Sequence, residues 1–129
     1  TSEENQKNNP DIYAAIKDLT NIKKIANTDY DLFGDGTVVM KFMPGHTPGH
    51  QVLFVDLAEN GPLLLSGDMY HFYENREFRR VPIFNFDVAQ TKESMAAFEK
   101  FAEEKGAEVY LQHSKQDFEK LPKAPNYLK

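Results

Sequence analysis

The chain contains no cysteine. Disulfides and thiolate metal sites are therefore excluded, and any bound metal must be held by His, Asp or Glu. The redox compartment stays open, since a cysteine-free chain survives in either. Long apolar runs are missing too, and none approaches the ~20 residues that span a bilayer. The polar start, residues 1–9 (TSEENQKNN), lacks the apolar stretch of a signal peptide. Positive charge is in deficit: 15 Lys and Arg stand against 20 Asp and Glu, a formal net charge of −5. A nucleic-acid surface needs a basic footprint, which argues against such a partner, and no membrane partner is expected.

What remains suits one domain or one large subdomain of 129 residues, and 40% hydrophobic content argues against disorder. Asn9 before Pro10 signals a helix start, and Ile12, Ala15, Ile16 and Leu19 recur at helical spacing as far as Ile22 or Lys23. Asp31–Gly36 is a turn cluster, and Thr37–Phe42 (TVVMKF) reads as a strand. Residues 44–50 (PGHTPGH), with two prolines and two glycines, form no regular element. Gln51–Leu57 is a second strand, and Pro62–Ser66 a third, apolar on both faces and hence central. The stretch 69–86 reads as irregular and dense in aromatics. Asp87 with Gln90 resembles a capping box that opens a helix to about Lys105, with Met95, Phe98, Phe101 and Ala102 on its buried face. Gly106 closes that helix. Glu108–Gln112 is a last short strand, and the tail from Leu121 is an extended strap.

Three strands end in a candidate metal ligand: His46, Asp68 and His113. Strand ends hold side chains more rigidly than loops, and preorganised ligands bind metal better. Nitrogen and oxygen donors without sulfur suit zinc, and less specifically iron, manganese or cobalt. Singly, a strand-end His is more often a hydrogen-bonded structural residue, and an Asp after Gly a turn former or helix cap. Their joint placement brings the metal reading level with the structural one.

The segments PGHTPGH at 44–50, LLLSGD at 63–68 and QHS at 112–114 resemble the later motifs of the metallo-β-lactamase superfamily. GDMYHFYENREFRRVPIFNFD at 67–87 is most similar to its N-acyl-homoserine lactonase branch. The resemblance implies an α+β fold, half of a metallo-β-lactamase αββα sandwich: a mixed sheet with helices on one outer face. It also implies that residues 1–129 are the C-terminal part of such a domain. The family's H-x-H-x-D-H motif, which supplies four of seven ligands, is absent.

Residue by residue, His46 matches a ligand of the first zinc, Asp68 the carboxylate bridging both zincs, and His113 a ligand of the second. His50 matches no ligand and is expected to brace the loop, while Gly45 and Gly49 give the backbone its tight path. His71 stands where some lactonases carry Tyr, as a donor to substrate or oxyanion, with Tyr70 beside it as a further catalytic candidate. The implied activity is zinc-dependent opening of the lactone ring of N-acyl homoserine lactones by metal-bound hydroxide, with two zincs per complete protein. The alternatives are a glyoxalase II-like thioesterase or other ester hydrolase, or an inactive half-domain. Expected partners are a small-molecule lactone and the missing N-terminal half or a partner chain, with homodimerisation left open. The location is left open, with the cytoplasm favoured over the bacterial periplasm or secretion.

Overall fold

The computed structural model describes residues 3–8, 10–15 and 18–129. Asn9, Ile16 and the side chain of Ile12, all used in the expected first helix, lie outside them. Two short helices, α1 (Glu3–Asn8) and α2 (Pro10–Tyr13), open the chain. The helix expected as far as Ile22 or Lys23 stops at Tyr13 among the described residues, and both Leu19 and Ile22 are exposed. Helical spacing without a surface to pack on does not sustain a short helix in water.

Five strands form one sheet: β1 (Tyr30–Asp31), β2 (Val38–Phe42), β3 (Gln51–Leu57), β4 (Gly61–Leu65) and β5 (Glu108–Tyr110). They lie in chain order. The first four run antiparallel, and β5 joins β4 in parallel, so the sheet is mixed. Register places Val39, Phe54 and Leu64 abreast on one face. The long helix α4 (Val88–Lys105) packs there through Met95, Phe98 and Ala102. Its ends follow the sequence signals. Asp87 accepts the Gln90 N–H at 2.9 Å, and Gly106 turns the chain in the left-handed region at φ +60°. Phe98 is fully buried, and its truncation to Ala would cost about 3–5 kcal/mol.

The opposite face carries Val38, Val55 and Leu63 in one row and Met40, Leu53 and Leu65 in the next. Leu63 is buried and the other five are half-buried. An antiparallel sheet with one wet face alternates apolar with polar residues; here both faces are apolar.

Between β4 and β5 the chain makes a 3-10 turn at Gly67–Met69, then α3 (Tyr73–Phe78), then α4. After β5 comes α5 (Lys115–Lys120). The stretch 69–86 is therefore less irregular than its composition suggests. No helix among the described residues is long and apolar enough to cross a membrane.

Candidate metal and hydrolytic site

His46 sits in the loop between β2 and β3, which is sewn down from several sides. Gly45 has φ +130°, and a Cβ there would stand 2.4 Å from the Thr91 backbone nitrogen in the first turn of α4. Only glycine allows that approach. The Gly45 carbonyl accepts the Asp87 N–H at 2.9 Å and the Asn85 side-chain amide at 3.1 Å, and Ser94 Oγ donates to the Pro44 carbonyl at 2.6 Å. Gly49 has open space around it, so the tight path rests on Gly45 alone.

Asp68 lies in the 3-10 turn that follows β4. Gly67 before it has φ +55°, and a Cβ would come within 2.8 Å of His50 Nε2. His50 is buried and braces both loops. Its Nε2 accepts the Asp68 backbone N–H at 3.0 Å, and its Nδ1 bonds to the Met43 carbonyl at 2.8 Å. It is spent on backbone, as expected of a residue that brings no donor to the centre.

His113 follows β5, which is registered on β4 through Leu64↔Val109 and Leu65↔Tyr110. The three strand-end residues converge. Asp68 Oδ1 lies 2.7 Å from His113 Nε2, and Asp68 Oδ2 lies 3.8 Å from His46 Nε2. Each imidazole thus faces a different carboxylate oxygen. The bond from His113 is the largest influence on the Asp68 carboxyl and holds its pKa below the usual carboxylate value. His71 joins them: its ring stacks on His113 with centroids 4.9 Å apart and planes at 15°, and it lies 5.7 Å from the His46 ring. Burial, then the neighbouring His113 and His46, lowers the His71 pKa and favours its neutral form.

Tyr70 is not brought to this cluster, and the catalytic expectation for it is corrected. The side chain is fully buried against Phe98, with its hydroxyl donating to Glu99 at 3.0 Å. Burial, reinforced by Glu99, pushes its pKa well up. Glu99 is also gripped by Arg76 through two bonds of 2.9 and 2.8 Å. Adjacent side chains of an extended segment point to opposite sides, which sends Tyr70 inward and His71 out to the site.

Phe84 belongs to the site although no single-residue signal in the sequence marks it. It is 70% exposed, and its ring meets His46 and His71 edge-on at 6.2 and 5.8 Å.

The donor set can be tested against a metal. Among the described residues, no three or more His, Asp or Glu side chains are grouped to hold a single ion. The arrangement instead offers two donors in each of two directions, His46 with Asp68 and His113 with Asp68. Two ligands of a tetrahedral zinc at 2.0–2.1 Å stand about 3.3 Å apart. The His46–Asp68 gap is slightly wider than that, and the His113–Asp68 hydrogen bond would open by about half an ångström. His46 Nδ1 is buried with no hydrogen-bond partner among the described residues. The nitrogen and oxygen donors fit zinc in kind, as part of a larger ligand set.

No family model matches the chain. It is 37% identical over 98 residues to the N-acyl homoserine lactonase AttM of Azorhizobium caulinodans, covering 76% of this chain and 37% of that protein. Against the N-acyl homoserine lactonase AiiA of Bacillus thuringiensis subsp. kurstaki it is 28% identical over 105 residues, covering 81% of this chain and 41% of that one. The chain is a homologue of part of the N-acyl homoserine lactonases. The structures agree: an N-acyl homoserine lactone hydrolase with the product N-hexanoyl-L-homoserine at its catalytic metal centre superposes with a TM-score of 0.71 at 28% identity. That match covers 81% of this chain and 41% of the other, and it shows part of a metallo-β-lactamase fold. The chain thus spans about two fifths of the length of these relatives.

Proposed function

We propose that this chain contributes one side of a dizinc centre that opens the lactone ring of N-acyl homoserine lactones. The observation that carries the reading is the placement of Asp68, with one carboxylate oxygen turned to His113 and the other to His46. His46 and Asp68 would hold one ion, and Asp68 and His113 the other. Two donors per ion fall short of the three or four protein ligands of zinc sites. The rest would come from protein outside these residues, in keeping with relatives about twice as long. Bound zinc would supply a water of pKa near 7 and polarise the carbonyl.

The residues' own parts follow from their positions. Neutral His71 offers an N–H to the carbonyl oxygen as negative charge develops on it. Water adds to the carbonyl carbon, the ring carbon–oxygen bond breaks, and the water's proton ends on the departing alkoxide. The product is the ring-opened N-acyl homoserine. Phe84, exposed beside His46 and His71, offers apolar surface to an acyl substituent.

The first test is zinc content by elemental analysis, followed by a substrate panel of lactones, thioesters and β-lactams. Two zincs per full-length protein with lactone turnover would support the reading. Full zinc and full turnover in His46→Ala, Asp68→Ala or His113→Ala would sink it. A second reading is favoured by the coverage of the relatives: residues 1–129 alone are an inactive half. Negligible zinc on the isolated chain, with zinc on the longer protein, is the result it requires.

A further inference from the structure

Asp117 is a buried carboxylate, 2% exposed, that takes no part in the site described above. Three elements meet on it. Its Oδ2 accepts the Leu111 N–H at 2.9 Å, where the chain leaves β5 and turns to His113. Its Oδ1 accepts the hydroxyl of Tyr73, the first residue of α3 and two positions beyond His71. Lys120 reaches the same oxygen at 3.4 Å, and the Asp117 N–H donates to Ser114 Oγ at 3.2 Å. Burial alone would raise its pKa, but the bonds from Tyr73, Leu111 and Lys120 outweigh it and leave the pKa lowered.

The His71 loop is therefore anchored on both flanks. On one side the Tyr70 hydroxyl is tied to Glu99 of α4; on the other, the Tyr73 hydroxyl is tied to Asp117 of α5. Of these two anchors, it is Asp117 that also holds the turn carrying His113, through the Leu111 N–H. Between these anchors the two imidazoles lie nearly parallel, 4.9 Å apart. We propose that Asp117 is the positioning residue that locks the His71 loop and the His113 turn together, so that both rings face the site in fixed register. The inference rests on the lactonase reading only for its effect on zinc; the ring stack exists without it.

The test uses Asp117→Asn and Tyr73→Phe in the full-length protein. Nuclear Overhauser contacts between the ring protons of His71 and His113 report the stack, and competition with a chromophoric chelator reports zinc affinity. Expected is loss of the ring contact in both variants, with the backbone spectrum otherwise preserved. Zinc affinity should fall about 10- to 100-fold in Asp117→Asn, the usual effect of removing a group that orients ligands. If Asp117→Asn does not fold, Tyr73→Phe decides alone, because it removes one hydroxyl. An unchanged ring contact and unchanged zinc affinity in Tyr73→Phe, with only thermal stability lowered, would overturn the proposal. A parent protein that binds no zinc would remove the lactonase reading, and the ring contact would still decide the positioning role.

Discussion

The His50 ring joins the His46 loop to Asp68, accepting the Asp68 backbone N–H on Nε2 and meeting the Met43 carbonyl with Nδ1. A backbone N–H can only donate and a carbonyl can only accept, so the bonds themselves assign the tautomer: proton on Nδ1, none on Nε2. A second proton would set N–H against N–H in a buried place.

Stability should follow that proton. Burial is the main cause that lowers the His50 pKa in the fold, against about 6.5 for an unperturbed His. With the folded value depressed, the contribution is complete above the unfolded value and is lost as pH falls through the folded one. Melting temperature should therefore drop from pH 7 to pH 5 in the parent. In His50→Gln it should start lower and change less. Equal pH slopes in the two proteins would remove His50 as the cause.

Gly45 and Gly49 occupy one loop but should respond differently to alanine. Gly45→Ala places a Cβ 2.4 Å from the Thr91 backbone at φ +130° and should cost about 2–4 kcal/mol. Gly49→Ala meets open space and should change stability by less than about 1 kcal/mol. Urea denaturation of both variants checks this, and equal costs would contradict the close approach of the loop to α4.

Much of this was legible in the sequence, and what was not has physical reasons. The strands and α4 carry strong signals: β-branched runs, an Asp cap and a closing glycine. The expected ligands lie in the loops and turns just past β2, β4 and β5, and the sheet brings them together. Helix α3 was hidden because no conventional cap opens it. Phe72 stands at its start, with the Asn75 side chain accepting the Phe72 N–H at 3.0 Å, and Arg79 rather than glycine takes the left-handed position at φ 48°. Helix α5 is masked in the sequence because its cap, Ser114, falls within the QHS motif. Only packing decides which of the adjacent Tyr70 and His71 faces the core, and the sequence carries no local signal for it. Asp117 carries no motif, and although Leu111, Ser114 and Lys120 are near it in sequence, its bond to Tyr73 spans 44 positions.

Tyr70 and His71 should separate cleanly by mutation. Tyr70→Phe removes one hydrogen bond to a Glu99 that Arg76 still holds twice, so stability should fall by about 1–2 kcal/mol, and the slackened His71 loop should slow lactone turnover by less than about 10-fold. His71→Ala should cost less than about 1 kcal/mol of stability but slow turnover about 100-fold. Denaturation curves and steady-state kinetics on the full-length protein distinguish them. A loss of turnover in Tyr70→Phe as large as that in His71→Ala would return that hydroxyl to the chemistry.

Phe84 should act on selectivity. An apolar wall beside His46 and His71 gains from each methylene it shields, at about 0.8 kcal/mol apiece. Phe84→Ala should narrow the kcat/KM ratio between long-chain and short-chain lactones by about 5- to 10-fold, leaving zinc content alone. A ratio that does not move would place the acyl chain elsewhere.

The bond from the Asp68 main chain to His50 has a consequence for how this region can change over evolutionary time. The turn is held by an atom that every residue except proline possesses. Position 68 can therefore exchange its carboxylate for an amide, a thiol or a longer acid while the scaffold keeps its anchor. Chemistry and architecture are inherited separately at that point, and the scaffold can outlive the reaction it serves.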